Sequence, residues 1–341
     1  MGDSRIPVSR VIHTIHATTD ITKCRLLYQD ALGGLVFAEN YFPAEDRDAA
    51  LLYVTDHMVE PMAPRHADDL TKPFARMTAK IGQAFHSFEL KVPDGKAASA
   101  AFRAAGCTVA SDYGVFFFVR PESTGGVLLE VCELAMPNDP YDRGNWNPRV
   151  GAGHACSVTG LDHIACVTAD TDAALRFFTG IVDGEVLDDS RTDLPQPGRR
   201  VLLRVGDTRV AFIQPDDTAS GPLGAFLTKE QNGIYALVWK VADMAQAEAH
   251  FTRKMKMRLT QEGKVTPALL SIPRTSLARV MSSCPPDGIR PPPRFPGRTR
   301  HRDRSRPGWS DGRCRSRAPA PLQALAGKRR RGCRPASRDG P

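Results

Sequence analysis

A chain of 341 residues is long enough for two ordinary domains, and its net charge of +8 invites a nucleic-acid reading. The charge is unevenly spread: residues 265–341 hold 18 of the 46 Lys and Arg but only 4 of the 38 Asp and Glu, leaving 28 basic and 34 acidic residues before them. The body is therefore mildly acidic, which argues against nucleic acid as a partner, and no apolar run nears the roughly 20 residues of a membrane span. Eight cysteines include no CxxC pair and several sit in apolar runs, as reduced core thiols do. With no apolar leader in MGDSRIPVSR, a cytoplasmic protein is expected.

In chain order, VIHTIHATTDITKCRLLYQDALGG (11–34) reads as an alternating strand bearing His13, a helix-capping Asp20, and apolar residues at helical spacing. Strands are expected at 35–41, 49–54 and 57–62, the last carrying Glu60 in HMVEPMAP. A second unit opens with HSFELKVPDGKAASAAF (86–102), in which His86 begins a strand and Asp94 caps a helix. It ends on FFFVRPESTGGVLLEVCEL (116–134), two apolar strands joined by a turn from Pro121 to Gly126, the second strand carrying Glu130. The Pro-, Gly- and Asn-rich segment 136–154 has the composition of a linker.

The pattern then repeats. LDHIACVTADTDAALRFFTGIVDG (161–184) matches 11–34 at an offset of 150, placing His163 on His13 and Asp170 on Asp20. YALVWKVADMAQAEAHF (235–251) matches 86–102 at an offset of 149, placing Asp243 on Asp94 and Tyr235 on His86. Internal repetition of this kind dictates the architecture. The expected fold class is α+β, with tandem βαβββ modules (four units, two halves) forming half-open barrels. The first half spans 8–136, a linker 137–154, the second half 155–264, and a disordered Arg- and Pro-rich tail 265–341. The tail holds 13 of the 27 prolines. Its composition matches GC-rich coding read out of frame, so unit four is expected to be truncated near Lys264.

His13 and His86 open units one and two, while Glu60 and Glu130 close them. If two such units pack with pseudo-twofold symmetry, all four side chains converge on one cleft. Two imidazoles and two carboxylates suit a divalent cation. In the second half His163 persists, but Tyr235 replaces the second His, Ala211 stands at the Glu60 place, and the partner of Glu130 would fall at Arg279. That half is expected to be structural, with His163 satisfied by a local hydrogen bond.

The repeated unit resembles the module of the vicinal oxygen chelate superfamily, which includes glyoxalase I, methylmalonyl-CoA epimerase, extradiol dioxygenases and bleomycin-resistance proteins. In the first half, VEPMAP and RPESTGGVLLE are most similar to the ligand-bearing strands of the epimerase, with Arg120 where its signature has His. The resemblance implies metal ligands at His13, Glu60, His86 and Glu130. It implies Co, Ni, Zn, Mn or Mg as cofactor, a small-molecule substrate with vicinal oxygens, and chemistry through a metal-stabilised enolate. Glu130 and, in PAED, Glu45 are the implied proton-transfer residues, with His16 and His57 as further polar groups nearby. An isomerase or lyase follows, without membrane or nucleic-acid partners and with a homodimer permitted. The alternative is an extradiol ring-cleaving dioxygenase using Fe(II), although Phe117 and Arg120 depart from that signature and Glu130 lies nine residues past Pro121. A non-catalytic binding protein is the third reading, disfavoured because that class generally lacks the ligand set.

Overall fold

Four aspartates set the rhythm of the chain. Asp20, Asp94, Asp170 and Asp243 each sit in extended backbone and accept the amide N–H three residues on, from Lys23, Ala97, Ala173 and Gln246 at 2.8–2.9 Å. Each bond satisfies an orphan donor of the first helical turn and so ends a strand and starts a helix. The computed structural model describes residues 5–136, 138–141, 153–193, 195–230, 232–254, 260–262 and 268–273.

Unit one comprises β1 (Arg10–Ala17), α1 (Ile21–Leu32), β2 (Leu35–Phe42), β3 (Arg47–Val54) and β4 (His57–Pro64). Helix α2 (Pro73–Ile81) leads into unit two, which is β5 (Ala84–Lys91), α3 (Gly95–Ala104), β6 (Val109–Ala110), β7 (Phe116–Val119) and β8 (Leu129–Cys132). Unit three is β9 (Val158–Val167), α4 (Thr171–Gly180), β10 (Glu185–Thr192), β11 (Gly198–Val205) and β12 (Thr208–Pro215). Helix α5 (Gly221–Glu230) precedes unit four, with β13 (Gly233–Val241), α6 (Met244–Glu248) running into a π-helical turn, β14 (Thr260–Glu262) and β15 (Ala268–Pro273).

Two open sheets result, ordered β2-β3-β4-β1-β5-β8-β7-β6 and β10-β11-β12-β9-β13-β15-β14. The first strand of each of units one to three pairs parallel with the last strand of its own unit, and β1 with β5, like β9 with β13, pairs antiparallel. The tandem βαβββ reading therefore describes the architecture, with neither sheet closed into a barrel. Helices α2 and α5, which periodicity did not reveal, start at Pro73 and around Pro222, where a missing N–H costs nothing. Phe74 of α2 packs with Ile15 and Met62, and Leu223 of α5 with Val167 and Ile213.

The ordered second half runs past the expected limit at 264. The apolar run ALLSIP forms β15 and pairs antiparallel with β13, where β8 pairs parallel with β5. Its apolar residues extend the sheet, which a composition-based boundary overlooked. The rest of the tail, residues 274–341, and residues 142–152 of the linker lie outside the described residues, as does Arg279. Among the described residues no helix is long and apolar enough to cross a membrane.

The two halves share a core in which Phe102 stacks on Phe177 at 5.8 Å and Phe88 on Phe178 at 6.3 Å. The Pro121–Gly126 turn is seated on the second half. Gly125 and Gly126 have φ of +76° and +109°, and the Gly125 carbonyl accepts from Thr168 Oγ1 at 2.8 Å. A Cβ at Gly125 would lie 2.5 Å from the backbone of Ala174. Gly125→Ala is expected to lower stability by about 3 kcal/mol, from left-handed strain plus overpacking, measured by urea unfolding.

Candidate metal centre

Sheet register assembles the site. Ile15 on β1 lies opposite Glu60 on β4, and Glu89 on β5 opposite Glu130 on β8. Antiparallel pairing of β1 with β5 then brings the two parallel pairs together. His13, Glu60, Glu89 and Glu130 are all buried there. The two ring nitrogens of His13 face different carboxylates: Nε2 is 3.0 Å from Glu60 Oε2 and 3.8 Å from Glu130 Oε2, whereas Nδ1 is 2.9 Å from Glu89 Oε2. These approaches are close but off line, so both nitrogens of His13, both oxygens of Glu89 and Oε2 of Glu130 are buried without a hydrogen-bond partner.

Such a set is out of balance electrostatically. Burial alone would strip the proton from His13, but the carboxylates of Glu89 and Glu60 outweigh it and hold the imidazole well above its ordinary range. Burial pushes the Glu60 carboxyl up to about 7, opposed by His13 and Arg47. Burial likewise raises Glu89, against the pull of His13. Metal–ligand bonds of about 2.1 Å at near-right angles place neighbouring donor atoms about 3 Å apart. The Nε2–Glu60 separation of 3.0 Å fits that spacing and the Nε2–Glu130 separation of 3.8 Å is wider, while the unpartnered lone pairs supply donors. His13, Glu89 and Glu130 also bring ligand atoms within 4.8 Å of one another.

A cavity of about 270 Å³ adjoins the cluster, walled on its apolar side by Ile15, Met62, Phe74, Met77 and Phe118. Glu45, in the turn between β2 and β3, lines it and accepts from Arg47 Nε at 2.6 Å and from the Tyr113 hydroxyl at 3.4 Å. Arg47 is buried, with Nη1 2.7 Å from Met62 Sδ and 3.9 Å from Glu60 Oε1. It therefore links the expected proton-transfer residue to the carboxylate cluster. Arg120 lies on the cavity rim, beside Glu122 at 3.5 Å.

The structure brings His13, Glu60 and Glu130 together as expected, but His86 does not join them. It stands on the cavity wall with Nδ1 3.0 Å from Ser87 Oγ, between the rings of Phe74 and Phe118. Burial draws its pKa down to about 4, against the field of Glu130. The reason is a slip of one residue. His13 and His163 lie seven residues before their capping aspartates, whereas His86 lies eight before Asp94, and the seventh place holds Ser87. Pairing of β1 with β5 is irregular beside it, and His86 reaches the cavity wall between Phe74 and Phe118 instead of the carboxylates around His13. His16 and His57 are also placed elsewhere: His16 Nδ1 is 3.0 Å from the Tyr28 hydroxyl on α1, and His57 Nε2 is 2.9 Å from Thr14 Oγ1, its ring near Trp239.

In the second half His163 Nδ1 lies 2.7 Å from Asp162 Oδ2, a local partner as expected. Ala211 pairs with Ala165 as Glu60 pairs with Ile15, so the register confirms the missing carboxylate. Ala165, Ala236 and Val238 make an apolar cluster with Tyr235 against it. Glu89 and Arg47 were the residues that sequence reasoning missed. Counting back five from Asp94 would have marked Glu89, since the same count gives Ile15, Ala165 and Val238 in the other units. Removing Arg47 leaves Glu45 and Glu60 without their shared cation. Arg47→Ala is expected to lose about 3 kcal/mol in urea unfolding, and Arg47→Met combined with Glu45→Gln to recover part of it.

Comparison with known proteins bears on the fold. A family model described as Glyoxalase/Bleomycin resistance protein/Dioxygenase superfamily matches residues 160–264. A mutant 4-hydroxymandelate synthase from Streptomyces coelicolor shares the fold at 17% identity, with a TM-score of 0.58 over 76% of this chain and 78% of that one. Methylmalonyl-CoA epimerase from Mycobacterium tuberculosis matches at 24% identity and a TM-score of 0.34, over 40% of this chain and 93% of its own. A Streptomyces coelicolor methylmalonyl-CoA epimerase in complex with 2-nitronate-propionyl-CoA matches at 22% identity and a TM-score of 0.33, over 36% and 96%. No curated protein matches the chain. The matched segment is the half without the carboxylate cluster: residues 160–264 carry the module of the glyoxalase, bleomycin-resistance and dioxygenase superfamily, and the chain shares its two-half fold with the synthase.

Proposed function

We propose that this chain is a metal-dependent enzyme of the isomerase, epimerase or lyase type, acting on a small substrate with two neighbouring oxygens. The observation that carries the reading is the buried donor set of His13, Glu60 and Glu130 beside a cavity, in which both His13 nitrogens and Glu130 Oε2 lack a hydrogen-bond partner. Buried carboxylates in this number are tolerated only against cations. A divalent ion held there supplies Lewis acidity, which stabilises negative charge on substrate oxygens when a proton leaves the adjacent carbon.

The protein's own residues divide the remaining work. The apolar wall of Ile15, Met62, Phe74, Met77 and Phe118 excludes water from the reacting carbon. Glu45 faces the cavity with Oε2 held by Arg47, placing Oε1 to receive or return a proton. Glu130, at the edge of the cluster, is the second proton-transfer candidate. His86, on the wall, is placed to hydrogen-bond a substrate oxygen. The cavity volume suits a small molecule or the reactive end of a larger one.

The ring-cleaving alternative needs two imidazoles and one carboxylate on one metal. With His86 displaced from His13, the described residues offer one imidazole, so enolate chemistry is favoured over ring cleavage. Metal analysis of the purified chain tests the reading. About one divalent ion per chain is expected, lost in Glu130→Ala; a chain that takes up none would sink it.

The acid–base state of the site adds a second expectation. Ligation requires Glu60 ionised and His13 neutral, yet Glu60 is pushed up to about 7 and His13 is held above its usual range. Protons therefore compete with the ion at and below neutrality, and release of the ion's competitors favours binding as pH rises. Apparent affinity, followed by calorimetry, is expected to increase from pH 6 to pH 8 with net proton release on binding.

A further inference from the structure

Glu89 is the residue that the repeat does not explain. Its side chain is fully buried, and units one, three and four hold Ile15, Ala165 and Val238 at the same place. A carboxylate among such neighbours is costly unless a cation stands beside it. Neither oxygen has a well-aligned hydrogen bond; among the described residues its polar neighbours are His13, with Nδ1 at 2.9 Å, and the Cys132 thiol. The opposite ring nitrogen, Nε2, faces Glu60 and Glu130. The imidazole thus lies between a carboxylate on one side and a pair of carboxylates on the other. Because a single ion cannot bond both nitrogens of one ring, the two sides have different tasks.

We propose that Glu89 is the positioning residue of the metal centre: it holds the His13 ring with a proton on Nδ1, so that the Nε2 lone pair joins Glu60 and Glu130 as a three-ligand set without His86. This rests on the metal-dependent reading above. A carboxylate behind a ligating imidazole orients the ring and increases its basicity. The second half offers an internal comparison. There Val238 stands where Glu89 does, and the Nδ1 of His163 meets a carboxylate from its own strand instead, Asp162 at 2.7 Å. Ile12 fills the Asp162 place in unit one, so the partner has to come from the neighbouring strand, and Glu89 supplies it. Three protein ligands leave coordination positions for two adjacent substrate oxygens. With one nitrogen and otherwise oxygen donors, the set favours Mn²⁺ or Mg²⁺ over softer ions.

The test uses Mn²⁺ binding by the full chain, followed by electron paramagnetic resonance, in wild type, Glu89→Gln, Glu89→Val and His86→Ala. Glu89→Gln is expected to bind Mn²⁺ about 10–100-fold more weakly, the usual cost of losing such a support. Glu89→Val, which copies Val238, is expected to melt at a higher temperature while losing Mn²⁺ affinity, a combination that a merely structural carboxylate would not give. His86→Ala is expected to bind as wild type does. Unchanged affinity in Glu89→Gln, or loss of Mn²⁺ in His86→Ala, overturns this inference while leaving the metal-dependent reading standing. Wild-type protein that binds neither Mn²⁺ nor any other divalent ion overturns both.

Discussion

Three carboxylates crowd onto one imidazole and one guanidinium, out of reach of water, and the first half of the molecule is arranged around that imbalance. Glu60, Glu89 and Glu130 are buried with His13 in the middle and Arg47 at the side. Ionised carboxylates in such surroundings cost far more than an apolar residue of the same size. The second half shows what the fold does without them. Ala211 stands at the Glu60 place and Val238 at the Glu89 place, and Val238 joins an apolar cluster with Ala165 and Ala236. The architecture therefore does not require the polar cluster, which makes stability a poor explanation for it and ligand binding a better one.

The second half braces the strands that carry the cluster. Asp183 accepts from the Val8 amide at 2.9 Å and Asp207 from the Val11 amide at 3.0 Å, pinning both sides of the strand entry that leads to His13. In the other direction Asp56, in the turn before β4, accepts from the Leu161 amide at 2.7 Å. Gly125 and Gly126 lie against Ala174 and Asn232, so the turn that leads to Glu130 rests on α4 and on the connection that precedes β13. A ligand triangle tolerates little displacement. Elements anchored across the halves in this way hold His13, Glu60 and Glu130 to one geometry.

Much of the fold was legible because its signals are local. Each unit carries an alternating strand, an Asp at the cap and a helical stripe, and repetition multiplied that evidence. The positions of His13, Glu60 and Glu130 followed from the repeat. Helices α2 and α5 were not legible, since their apolar residues answer to the concave sheet face beneath them. Strand β15 was hidden by the composition of the segment around it. The cavity guanidinium, Arg47, was invisible for another reason: PAEDRD has the look of a charged loop, and only folding shows that Arg47 turns inward, with Asp46 beside it also buried.

His86 is the most instructive miss, because a plausible alignment concealed it. Matching the units by their first histidine pairs His13 with His86; matching them by the capping Asp pairs His13 with Ser87. The cap is the better anchor, since a hydrogen bond to a helix terminus fixes backbone phase, whereas a histidine on a strand constrains only itself. Pairing of β1 with β5 is irregular between Val11 and Thr14 and again between Thr14 and His16. Bulges of this kind reset which face a residue takes, and they arise from pairing between distant strands. With the phase taken from Asp94, Ser87 falls on the place of His13 and Glu89 on that of Ile15, so unit two brings a carboxylate to the cluster where the repeat led one to expect an imidazole. The consequence is chemical: a site that symmetry would make rich in nitrogen has become rich in oxygen.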